Sequence, residues 1–293
     1  MIRTISAFAL TSLAYGYSPE ALADQVTNLP GAEALNVTFN QFSGYIAVDG
    51  TSKGSKKLHY WLVESEGNPS TDPVTFWTNG GPGCSGLLGF FTEQGPFQPT
   101  ADMKLQKNEY AWNRISNMVF IEAPCGVGYS YSDDDDDYTT GDATTASDNF
   151  MLIQGFLQRF PEFKENPLYI TSESYGGHYM PTLASKIVNE NKAGTFPKLN
   201  FKGFAVGNPY TNVYSGTFAG LATYWGHQLI SKPTWDSYSE LCIDAKRPAA
   251  NAEKCEALVV QMYGEIGNLN PYALDFPVCT TGSPAQKRGR AQR

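Results

Sequence analysis

The sequence predicts an α/β fold, a mostly parallel sheet entered through an antiparallel hairpin and followed by a helical insertion. Three observations carry this expectation. Residues 39–65 alternate through Phe42, Ser43, Gly44, Tyr45, Ile46, Ala47 and Val48, turn from Asp49-Gly50 to Ser55, and resume from Leu58 to Val63, the pattern of a hairpin. Four short apolar runs follow, each closed by Gly, Pro or Asn. Two stretches with apolar residues at helical spacing lie between and after those runs.

Taken in order, the runs are Val74-Thr75-Phe76-Trp77, Met118-Val119-Phe120-Ile121, Leu168-Tyr169-Ile170 and Phe204-Ala205-Val206. Their near-continuous apolar character is that of buried strands, whose carboxyl ends are where such sheets place their sites. The first helical stretch, residues 140–160, sets Phe150, Ile153, Phe156, Leu157 and Phe160 on one face; the second covers residues 177–190. Between strand and helix, the run from Asp133 to Asp137 reads as a solvated loop. A calcium loop is the weaker alternative, because uninterrupted Asp lacks the alternate spacing of ligands. Residues 209–279, aromatic and polar with no further strand followed by a helix, read as a mostly helical insertion packed on the sheet. The stretch 280–293 reads as a disordered basic tail.

The chain has 293 residues, 41% of them hydrophobic and 13% aromatic, which is the balance of a packed globular protein and excludes a coiled coil or a collagen-like rod. Its formal net charge is −8, and the only dense basic cluster is Lys287, Arg288, Arg290 and Arg293. An acidic body without a basic patch argues against nucleic acid or an anionic membrane as partner. The start, Met1-Ile2-Arg3, an apolar stretch to about Tyr15 and Ala21-Leu22-Ala23, has the three regions of a secretory signal peptide, with cleavage expected near Ala23. Export through the secretory pathway, to the outside or to a vacuolar or lysosomal compartment, makes Asn36-Val37-Thr38 a glycosylation site. In an oxidising compartment the five cysteines (84, 125, 242, 255 and 279) should mostly pair, and Cys242 and Cys255 are close enough for a local bridge. Their spacing fits no zinc pattern, so no metal is expected.

The chemistry concentrates in Leu168-Tyr169-Ile170-Thr171-Ser172-Glu173-Ser174-Tyr175-Gly176-Gly177-His178-Tyr179, a strand, a tight turn and a helix. A serine on such a turn needs small residues two before and two after it, and Ser174 has Ser172 and Gly176 there. The N–H of Tyr175, at the helix start, can face a developing oxyanion. The glycine-rich stretch from Thr78 to Gly86 offers a second donor. Cys84 and Cys125 sit at no such turn and read as buried or bridged, and Trp77, Trp112 and Trp225 read as packing.

These segments together resemble the serine carboxypeptidases. The likeness rests on Asn79-Gly80-Gly81-Pro82-Gly83-Cys84-Ser85, Glu93-Gln94-Gly95-Pro96-Phe97, Trp112-Asn113, the stretch from Phe120 to Tyr131, and Glu173-Ser174-Tyr175-Gly176-Gly177-His178-Tyr179. It runs from about Asp24 to Cys279. The resemblance implies an α/β-hydrolase fold, with residues 24–208 as the N-terminal part of the core and 209–279 as a helical cap. It implies release of single residues from peptide or protein C-termini at acidic pH, without cofactor or metal. Position by position it implies Ser174 as nucleophile, Gly81 and Tyr175 as oxyanion donors, and Asn79, Gly80, Glu93 and Glu173 as the grip on the substrate carboxylate. Two glutamates facing a carboxylate require a shared proton.

The hydrolase order is Ser, then Asp or Glu, then His. Of the three histidines, His59 precedes the serine, His178 shares its helix, and His227 falls in the insertion, so none reads as the base. The resemblance therefore implies that the last strands, with Asp and His, are missing, as are the partners of Cys84 and Cys279. The chain as given should have little activity unless a second polypeptide completes it. A carboxypeptidase-like acyltransferase using the same serine and a non-catalytic peptide-binding protein stay open as alternatives.

Overall fold

A computed structural model describes residues 16–48, 56–243 and 251–278. The hairpin turn at 49–55, the first fifteen residues of the expected leader, Cys279 and the tail from 280 lie outside the described residues. The chain divides into two compact units, Met1–Thr211 and Asn212–Arg293.

In the first unit the strands β1 (Gln41–Val48), β2 (Lys56–Val63), β3 (Val74–Thr78), β6 (Asn117–Ile121), β7 (Leu168–Glu173) and β8 (Phe201–Gly207) form one sheet in the order β1-β2-β6-β3-β7-β8. β1 and β2 pair antiparallel, β2 meets β6 antiparallel, and β6, β3, β7 and β8 run parallel. β3 and β6, in the middle, are buried at every position, hence their unalternating sequence. β7 and β8 extend beyond their apolar runs. Polar Thr171 and Ser172 still form ladders, because β3 and β8 flank them and satisfy their backbone.

Helix α3 (Asp142–Arg159) buries Phe150, Ile153, Phe156 and Leu157, with an acid in its first turn and a base in its last, each favourable to the helix dipole. It packs on β1 and on α4 (Gly176–Ala193), which lies against β7 and β8. The short helix α2 (Leu87–Thr92) and a two-stranded sheet of β4 (Phe97–Pro99) and β5 (Leu105–Lys107) were not legible in the apolar pattern. The acidic run is less solvated than expected. Asp134 and Asp137 are buried, Asp134 accepting from Asp136 N at 3.1 Å and Asp137 from the Ser132 hydroxyl at 2.5 Å. Local hydrogen bonding thus fixes part of the run in a turn.

The residues just before Asp24 make contacts with the core. Helix α1 (Pro19–Ala23), capped by the Ser18 hydroxyl, places Ala21 fully buried in the main core. The Tyr17 ring packs 4.8 Å from Phe42 and its hydroxyl donates to Glu64 at 2.5 Å. Asp24 accepts from Tyr60 and pairs with Arg159, both at 2.6 Å. Of the three residues Ala21-Leu22-Ala23, Ala21 packs and the other two are exposed.

The second unit holds α5 (Val213–Gly226), α6 (Lys232–Cys242) and α7 (Ala252–Ile266) around Leu221, Ile230, Tyr238 and Met262. Trp225 stacks on Trp235 at 5.5 Å, and Cys242 is bonded to Cys255. Among the described residues no helix is long and apolar enough to cross a membrane.

A chain starting at Asp24 is expected to be less stable than one starting at Gly16 by roughly 2–4 kcal/mol, the loss of the half-buried Tyr17 ring with its hydrogen bonds and of buried Ala21. Urea midpoints of the two would show it, and coincident midpoints would contradict it.

Candidate active site

β7 delivers Ser174 at its carboxyl end with a φ of +53°, a conformation costly for a residue with a side chain. Three backbone hydrogen bonds hold it there: Ser174 N donates to Gly207 O at 2.9 Å, and Ser174 O accepts from Tyr210 N at 2.7 Å and Gly177 N at 3.0 Å. A Cβ on Gly176 would fall on the Ser172 side chain, so the small residues on either side are demanded by contact between strand and helix.

The loop after β3 lies against this corner. A Cβ on Gly80 would sit 2.5 Å from Tyr175 N and 2.6 Å from Glu173 O, so only glycine lets the two backbones approach. The loop thus runs beside the amide of Tyr175, with Gly81 next in line.

Asn79, almost fully buried, is the hub. Its amide nitrogen donates to Glu93 Oε1 and Glu173 Oε1, each at 2.9 Å, and its oxygen accepts from Trp77 Nε1 at 2.9 Å and Gly89 N at 3.0 Å. These four bonds orient the amide without ambiguity and bring the two carboxyls to one nitrogen. Burial raises the pKa of Glu93 above the ordinary glutamate value, the Asn79 amide opposes this, and the Glu173 charge adds to the rise. An open cavity of about 380 Å³ is lined here by Trp77, Glu93, Trp112, Ser172, Glu173 and Asn208. Trp112, expected to be packing, is 42% exposed beside it.

Thus Asn79, Gly80, Glu93, Glu173, Ser174 and Tyr175 come together. The histidines do not join them: His59 lies near Glu122, and the His178 Nδ1 is 3.9 Å from Asp142. Among the described residues of this unit no imidazole hydrogen-bonds the Ser174 hydroxyl. His227 caps α5 in the second unit. Cys125 is buried, and Cys84 is exposed and unbridged among the described residues. Asn36 is exposed. Sequence reasoning missed Asp142, whose carboxylate accepts from the Tyr175 hydroxyl at 3.1 Å; no local spacing signals it. Among the described residues no group of three or more His, Cys, Asp or Glu could hold a metal.

A mixed sheet whose strand turns through a strained serine into a helix, beside a glycine loop, is the α/β-hydrolase arrangement. A solved prohormone-processing carboxypeptidase from Saccharomyces cerevisiae shares the fold, with a TM-score of 0.70 at 21% identity over 85% of this chain and 59% of that one. The family description "Serine carboxypeptidase" matches residues 30–292, beyond Cys279, where the motif likeness was expected to stop. The chain belongs to the serine carboxypeptidase family. Serine carboxypeptidase-like 28 of Arabidopsis thaliana is 38% identical over 279 residues, which are 94% of this chain and 59% of that relative. Serine carboxypeptidase-like 25 of the same plant is 41% identical over 272 residues, 92% of this chain and 56% of the relative. The chain thus spans less than two thirds of the length of these relatives.

Gly80→Ala is expected to lower stability by about 1–3 kcal/mol in urea unfolding, since both obstructing atoms are backbone. A second expectation concerns pH. Because the folded state raises the Glu93 pKa, the folded protein holds that proton more tightly, so its contribution to stability is complete below the unfolded value and declines as pH rises through the folded one. Burial and the Glu64 charge give Glu162 the same direction, so the slope must be read as the difference between wild type and Glu93→Gln. The variant should lose stability less steeply above the ordinary glutamate range; parallel curves would contradict this.

Proposed function

We propose that this chain binds the free C-terminus of peptides at Asn79, Gly80, Glu93 and Glu173 and presents the last peptide bond to Ser174, as a serine-type carboxypeptidase working in acid. The single observation that supports it most is the Asn79 amide holding two glutamates on one nitrogen beside the serine corner. Two ionised carboxylates would repel a third. A proton on the pair turns it into a donor for the incoming carboxylate, and the raised pKa of Glu93 favours that proton. Affinity for a free C-terminus should therefore fall as pH rises and the proton leaves.

In the catalytic step the Ser174 oxygen adds to the scissile carbonyl carbon, and the N–H groups of Gly81 and Tyr175 receive the oxyanion. The proton of Ser174 needs a base, which neither described histidine of this unit offers by hydrogen bond; a second polypeptide supplying it belongs to the reading. Export through the secretory pathway fits the leader-like start. An acyltransferase would use the same serine, but a grip on a free carboxylate suits a peptidase.

Calorimetry with a short peptide at acidic pH, against its C-terminally amidated form, is the test. Binding of the acid form alone is expected, weakened tenfold or more by Asn79→Ala, the scale of a lost charge-assisted hydrogen bond of about 1.5 kcal/mol or more. Equal binding of the amide would refute the carboxylate grip. Adding water-to-alcohol competition in a turnover assay separates hydrolysis from acyl transfer.

A further inference from the structure

A second hydroxyl, imidazole and carboxylate stand in line elsewhere in the first unit. On the outer face of the β1–β2 hairpin, Ser43 Oγ lies 2.9 Å from His59 Nε2. The other ring nitrogen, Nδ1, lies 3.1 Å from Glu122 Oε2, within ion-pair reach but without hydrogen-bond geometry. Glu122 is fully buried at the end of β6, where its carboxylate accepts from the Ser85 hydroxyl and, at 2.8 Å, from Tyr129 N. Burial raises its pKa, but the adjoining His59 and the donors Ser85 and Tyr129 outweigh that, so it stays below the usual glutamate value and holds its charge. The backbone of His59 is fixed in turn, its N–H donating to Ser130 Oγ at 2.8 Å. An anionic carboxylate at Nδ1 selects the tautomer with its proton there, which leaves the Nε2 lone pair facing Ser43. This is the order of roles that activates a serine, and it is the proton acceptor that Ser174 lacks among the described residues of its unit.

The site is open to a small molecule. A cavity of about 330 Å³ is lined by Ser43, Gly44, Tyr45, His59, Trp61 and Tyr129. Tyr45 and Tyr129 meet the imidazole edge-on at 5.5 and 5.3 Å, and Tyr129 is 64% exposed, so its phenol is available as a donor. Aromatic walls with one hydroxyl, one base and free phenols suit a flat ring carrying a polar carbonyl.

We propose that Ser43, with His59 as base and Glu122 as its orienting anion, is a second acyl-accepting serine, and that the site takes small aryl esters. The Ser43 oxygen bonds to the ester carbonyl carbon while its proton passes to His59 Nε2, and the carbonyl electron pair moves onto the oxygen, facing the Tyr129 phenol. Collapse breaks the bond to the aryloxide, which takes the proton from Nε2 and leaves as the phenol. Water, deprotonated by the same nitrogen, then releases the acyl group as a carboxylic acid and restores Ser43. The proposal does not depend on the carboxypeptidase reading, because it uses none of the same residues.

The test treats the full chain with a fluorophosphonate probe and locates the adduct by peptide mass spectrometry. An adduct on Ser43 is expected, absent from Ser43→Ala and formed about a hundredfold or more slowly in His59→Gln, the usual worth of a general base. No adduct on Ser43 of the folded wild type, or equal rates in wild type and a folded His59→Gln, would overturn it. Should His59→Gln fail to fold, wild-type labelling of Ser43 decides alone. Labelling at Ser174 is read separately and bears on the other reading only.

Discussion

The side-chain amide of Asn79 is bonded on all its sides, to two carboxyls through its nitrogen and to an indole and a backbone N–H through its oxygen. Buried as it is, it cannot give up any of these without stranding a polar atom away from water. The arrangement therefore locks three separate pieces of chain to one another: the loop after β3, the end of α2 and the end of β7. Gly80, the next residue, must then lie against the backbone of Glu173 and Tyr175, so the serine corner is flanked by the loop on one side and hydrogen-bonded to Gly207 and Tyr210 on the other. Much of what the site can do follows from that single amide.

A comparable junction lies at the other end of the same loop. Glu122 reaches Ser85 with one oxygen and Tyr129 with the other, while Ser130 donates to its backbone oxygen at 2.5 Å. The glycine loop is thus tethered at Asn79 by the glutamate pair and at Ser85 by a buried anion. Between the tethers, Gly81 and Gly83 adopt positive φ, so the backbone is bent where side chains would obstruct a carbonyl. Rigid ends and glycines at 80, 81 and 83 give a preordered stretch, broken by Pro82 with no N–H to donate, instead of a loop that must order on binding.

How far the sequence disclosed this depends on how local each constraint is. The serine corner was readable because contact between strand and helix forces small residues at fixed offsets around Ser174. The central strands were readable because burial on both faces leaves an unbroken apolar run. The convergence of Asn79, Glu93 and Glu173 has no such offset; it depends on β3 lying beside β7 and came only through family resemblance. The relay of Ser43, His59 and Glu122 was invisible, since it follows from the pairing of β1 with β2 and of β2 with β6, in which Tyr45, not Ser43, is the register partner of His59.

The two margins of the large sheet are unequal. Beyond β1, the chain covers the outer edge itself, with Gln25 bridged to Phe42 and Ser43 N bonded to Asp24 O at 2.8 Å. Beyond β8 no described strand is paired, and Phe204 is 48% exposed. The rim at the amino-terminal side is thus occupied by the protein's own chain, which uses up backbone groups of β1, the N–H of Ser43 among them, that a foreign strand would need.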